Sequence, residues 1–131
     1  MAVQDLRKNN TMAHILDALE AGEDIGHYGR LTFAMVGQYF AEEEEIVGFL
    51  KKDKDFSEEE ARSLYSQVTS KHYSPPSRDS ILEWQSQQDF QMCPDPDDPD
   101  AGNVYQDLTF PDSVYESISS YNHQKESHSK D

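Results

Sequence analysis

The chain has 131 residues, one domain's worth, with 11 Lys or Arg against 26 Asp or Glu and a formal net charge of −15. Apolar residues make up 35%, enough for one small core with polar appendages and too little for a two-domain enzyme. No run approaches the roughly 18 apolar residues of a membrane span, the opening MAVQDLRKNN lacks the apolar stretch of a signal peptide, and the single cysteine, Cys93, excludes an internal disulfide and makes a cytoplasmic setting the default.

Residues 1–10 read as a flexible polar arm. Thr11 is a candidate N-cap for a first helix, with Met12, Ile15, Leu16 and Leu19 at helical spacing and Gly22 where a C-terminal cap belongs. After the loop Glu23-Asp24-Ile25-Gly26, a second helix carries Leu31, Phe33, Ala34, Met35, Val36, Tyr39 and Phe40 on more than one face, which predicts a central, mostly buried element. A third helix runs from Glu42-Glu43-Glu44-Glu45 to Lys51-Lys52, acid first and base last as the helix dipole favours. Ser57-x-x-Glu60 is a capping box for a fourth helix with Ala61, Leu64, Tyr65 and Val68 along one side. Ser74-Pro75-Pro76-Ser77 breaks the chain, and Ser80-x-x-Glu83 reads as a second capping box ahead of Ile81, Leu82 and Trp84. Residues 93–103 form an acidic proline loop. Pro111 opens a last helix with Val114, Ile118 and Tyr121 on one face, and 122–131 is a disordered tail too polar to pack. No strand-like alternation persists. The prediction is an all-α protein: a compact bundle of five to six short helices with long loops and disordered termini.

The acidity is uneven. Between Asp79 and His123 there is no Lys or Arg but ten Asp or Glu, whereas residues 1–78 carry nine basic and fourteen acidic residues. Such a surface repels phosphate backbones at low salt, and concentrated salt weakens that repulsion.

His27-Tyr28-Gly29-Arg30 stands at the start of the buried helix. Imidazole, guanidinium and free helix N–H groups make an anion site there, unless Arg30 pairs with a nearby carboxylate and His27 merely caps the helix. The run Asp95-Pro96-Asp97-Asp98-Pro99-Asp100 lacks the Gly and Glu of a calcium loop and reads as a solvated acidic loop. The five His residues show no metal-ligand spacing, and no phosphate loop, dinucleotide fingerprint or Ser-His-Asp order is present.

Taken together, Met12, Ile15, Ala18, Leu19, His27, Gly29 and Arg30 in TMAHILDALEAGEDIGHYGR, then Asp55-Phe56, then Tyr73-Ser74-Pro75-Pro76-Ser77, and the closing Pro111-Asp112 segment to Ser120-Tyr121 follow a familiar order. Over about residues 11–121 the chain resembles the C-terminal domain of the archaeal and eukaryotic DNA primase large subunit. The resemblance implies a helical fold that in the family holds a [4Fe-4S] cluster on four cysteines. The matching positions here are Thr11, Arg78, Cys93 and Gly102. Three of the four thiolates are gone, so the expectation is a chain without the cluster or any other cofactor. The resemblance also implies that His27 and Arg30, assisted by Tyr65, contact the triphosphate of an initiating nucleotide. The family's later His has no counterpart, since Val68-Thr69-Ser70 stands in that stretch.

Two functions follow as expectations. One is a non-catalytic accessory domain of primer initiation that binds a nucleoside triphosphate or the 5′ end of a primer-template weakly, beside a primase catalytic subunit or another replication protein. The other is an acidic protein-interaction module that kept the fold and lost nucleic-acid binding. In both the isolated chain is a monomer, not an enzyme, with no membrane contact.

Overall fold

The computed structural model describes residues 3–71, 73–98 and 102–115, and these residues contain helices and loops but no strand. A 3-10 helix (Val3–Lys8) leads into α1 (Asn10–Glu20), α2 (Gly26–Gly37), α3 (Glu43–Leu50), α4 (Glu58–Ser70), α5 (Arg78–Gln85) and the single turn α6 (Val104–Asp107). Residues 112–115 are again helical. The expected tail at 122–131, and the Ile118 and Tyr121 of the closing helix, lie outside the described residues.

Packing follows the apolar spacing. α2 carries too many apolar residues for one face and therefore packs against α1, α3, α4 and α5 at once. Phe33, Ala34 and Val36 are fully buried there beside Met12, Ile15, Leu16 and Leu19 of α1, Ile46 and Leu50 of α3, Val68 of α4 and Ile81 of α5. Gly22 ends α1 in the left-handed region at φ 74°. Its N–H donates to Leu19 O at 3.0 Å and that of Glu23 to Ala18 O at 2.9 Å, the paired bonds of a Schellman cap. The Ser57–Glu60 capping box forms as its spacing predicts.

Three local expectations change. The arm at 1–10 is ordered from Val3 onward: Val3 and Leu6, three apart, share one side of a 3-10 turn and are buried. Arg7 ties that turn to Asp17 and Glu20 of α1. Asn9, not Thr11, caps α1, its Oδ1 accepting from Met12 N at 3.0 Å. Thr11 stands two residues too late, already inside the first turn, and is buried in the core instead. α5 begins three residues before the expected box, capped by Ser77, whose hydroxyl accepts from Ser80 N at 3.2 Å. The extended backbone that follows Pro76 sets Ser77 in a capping conformation. Just past the expected loop at 93–103, α6 is nucleated by Asn103, whose side chain accepts from Tyr105 N and Gln106 N.

Trp84 reaches α2. It is half-buried and stacks on Tyr28, centroids 5.4 Å apart. At the Pro75–Pro76 corner the hydroxyl of Tyr105 donates to the Pro75 carbonyl. Burial holds that hydroxyl protonated well above the ordinary tyrosine range.

Candidate functional site

The start of α2 brings together residues from four segments. Arg30 projects toward the loop after α3, where Asp53 is buried with a fully inaccessible side chain. Arg30 Nη1 donates to Asp53 Oδ2 at 3.0 Å and to Asp24 Oδ1 at 3.2 Å, and its guanidinium carbon lies 4.4 Å from the centre of the Phe56 ring. Its Nε is buried without a hydrogen-bond partner. Asp53 serves three donors: Arg30, Ile25 N at 2.9 Å on the same oxygen, and Asp55 N at 2.8 Å on the other.

Three amides at this helix end, those of Ile25, Gly26 and Tyr28, are also engaged. Ile25 N–H goes to Asp53 and Gly26 N–H to Asp24 Oδ1 at 2.9 Å. Tyr28 N–H donates to Gln88 Oε1 at 2.9 Å, while Gln88 Nε2 donates back to Ile25 O at 3.0 Å and to Phe90 O at 3.1 Å. Gln88 thus caps α2 from the loop beyond α5, a role its sequence position does not signal. His27 is exposed and lies edge-on to Tyr28, ring centroids 5.3 Å apart. Tyr65 sits half-buried on α4, its hydroxyl pKa pushed up by burial and by Glu43 and Glu42, so acid rather than base surrounds it.

The other arginines are committed in the same way. Arg62 binds Glu44 with both terminal nitrogens at 2.9 and 3.0 Å and also reaches Glu43 and Glu58, holding the Glu44 carboxyl below its usual range, while Lys51 together with Arg62 does the same for Glu58. Arg7 binds Asp17 and Glu20. Arg78 donates to the carbonyls of Pro96 and Asp98 at 2.8 and 2.7 Å, clasping the acidic loop onto the start of α5. All four arginines of the chain therefore bind its own oxygens. Lys71 shares a shallow groove on α4 with Arg62, Glu59, Ser63, Ser66 and Gln67.

Three of the four positions matched to the family's ligands meet in one place. A Cβ added at Gly102 would lie 2.5 Å from Thr11 Oγ1 and 3.0 Å from Cys93 Sγ. Thr11 Oγ1 is buried with no hydrogen-bond partner, and Cys93 is fully buried. Neighbouring polar groups fasten the junction: Gly102 N–H donates to Asn10 Oδ1 at 3.0 Å, and Cys93 N–H to Gln85 Oε1 at 2.8 Å. One thiol, one hydroxyl and a glycine do not fit the four thiolate donors of an iron–sulfur cluster. Among the described residues no group of three or more His, Cys, Asp or Glu is placed to hold a metal ion.

Gly102 has φ 81°, so both its backbone and its missing side chain matter. Gly102→Ala is expected to lower folding stability by about 1–3 kcal/mol, through left-handed strain and overpacking. Chemical denaturation reads this directly. Thr11→Ala in the same background should return part of the loss by removing the nearer clash.

The fold and this site define an all-helical domain whose arginines are internal fasteners. Among the described residues no helix is long and apolar enough to cross a membrane. Compared with known protein families, curated proteins and solved structures, the chain has no match in any of the three.

Proposed function

We propose that this domain is a non-enzymatic, acidic protein-interaction module on a scaffold like the C-terminal domain of the primase large subunit, one that kept the fold and lost the nucleotide site. The observation that carries the reading is the seating of Arg30 on the buried Asp53. A guanidinium already neutralised by two carboxylates, behind a helix end where the Ile25, Gly26 and Tyr28 amides are capped by side chains, offers a triphosphate little. The meeting of Thr11, Cys93 and Gly102 supports the scaffold part, because the resemblance links those three positions although they are far apart in sequence. A primase catalytic subunit or another replication protein, in a cytoplasmic setting, is the partner this reading implies.

A second reading, weak binding of a nucleoside triphosphate or a primer 5′ end, is favoured by one observation: His27 stays exposed beside the Tyr28–Trp84 stack. The two readings separate in an amide chemical-shift titration with ATP at low salt and mildly acidic pH. The interaction module predicts still resonances for residues 26–31. Shifts centred there that vanish in His27→Ala, an exposed substitution that spares the fold, would replace it with the nucleotide-binding reading.

A further inference from the structure

We infer that ionic strength governs this fold: the domain's own negative charge strains it in dilute buffer, and concentrated salt tightens it. This stands apart from the reading of the nucleotide site. The chain carries 26 carboxylates against 11 cations. The folded structure concentrates the excess. Arg62 of α4 reaches Glu43 and Glu44 at the start of α3 and Glu58 at the start of its own helix, so one guanidinium gathers three carboxylates, with Glu42, Glu45, Glu59 and Glu60 next to them in sequence. The cations facing that patch are Arg62, Lys51 on Glu58, and Arg30 acting on Glu60 at longer range. Tyr65 faces it as a neutral phenol. Asp95 and Asp97 stand exposed on the acidic loop that Arg78 clasps through the Pro96 and Asp98 carbonyls.

Salt acts on two opposed sets of interactions. It weakens the attractive pairs of Arg7, Lys51 and Arg62, which are exposed and individually worth little. It also weakens repulsion among the carboxylates without an ion pair, which outnumber those pairs among the described residues. The buried Arg30–Asp53 pair is shielded from both. Relief of repulsion therefore wins. Glu23, just past the end of α1, and Glu83, in the last turn of α5, are exposed at the wrong pole of the helix dipole, so they add repulsion without the compensation that Glu43–Glu45 receive at a helix start.

The test is thermal unfolding of the full chain in KCl from about 0.05 M to about 1 M, across which the screening length falls from over 10 Å to about 3 Å. At neutral pH the midpoint should rise by roughly ten degrees and level off once screening is complete. Close to pH 4.5, the isoelectric point, the rise should vanish. The triple variant Glu23→Gln, Glu83→Gln, Asp97→Asn removes three exposed charges that have no ion pair among the described residues, and it should show a higher low-salt midpoint and a shallower salt slope. A midpoint that is flat or falls with KCl at neutral pH overturns the inference. So does an equal rise at pH 4.5, which would mark general ion exclusion, or an unchanged slope in the triple variant.

Discussion

Asp53→Asn is expected to remove about 3–5 kcal/mol of folding free energy, a large part of what a domain of this size holds. The carboxylate accepts from Ile25 N, Asp55 N and Arg30 Nη1, and its side chain is fully inaccessible. An amide of the same shape has one acceptor oxygen instead of two and turns a donor toward a donor. It also leaves the Arg30 cation, 13% exposed, with Asp24 as its remaining carboxylate. Uncompensated burial of charge, rather than loss of one hydrogen bond, sets the magnitude. Replacing Arg30 by Leu in the Asp53→Asn background should therefore recover part of the loss. If denaturation shows the two single losses simply adding, Arg30 and Asp53 are not coupled and the account of this site fails.

Phe33→Ala is expected to cost a similar amount, about 3–5 kcal/mol, for a different reason. Phe33 is fully buried on α2, the helix that contacts four others, with its ring 6.1 Å from that of Phe49 on α3. Truncation leaves a cavity that four packed helices cannot jointly collapse into. Trp84, although larger, is half-buried at the edge of the bundle. Trp84→Ala should cost clearly less than Phe33→Ala, since solvent already covers part of what the ring loses. Equal losses for the two in urea denaturation would mean that α5 is more central than its packing indicates.

These two residues were unequally legible in the sequence. Phe33 sits in a helix apolar all round, and burial on every side is the one way such a helix is satisfied, so its place in the core could be read from spacing. The caps at Gly22 and Ser57 were legible for the same kind of reason: each is a contact within a few residues, decided by side-chain chemistry and backbone geometry at one helix end. Where several capping residues stood close together, as with Asn9 beside Thr11 and Ser77 beside Ser80, local chemistry allowed more than one start. Packing chose between them by the burial of Leu6 and Ile81.

The candidate site was legible in its residues and not in its state. His27, Arg30 and Tyr65 could be named, and so could the choice between an anion site and an internal ion pair. That choice depended on Asp53, 23 residues from Arg30, and on Gln88, 60 residues from Tyr28. Neither carries a local signal, because an aspartate in a charged loop and a glutamine in a polar run look like surface residues until the fold brings them to a helix end. The convergence of Thr11, Cys93 and Gly102 was proposed by likeness alone, as no periodicity joins positions so far apart. By itself the sequence determined the helices, the identity of the central helix and the surplus of negative charge, since those follow from spacing, short-range chemistry and arithmetic. Only the tertiary structure decided which charges face one another and which amides are already filled, because burial and pairing over long chain separations are properties of the packed molecule.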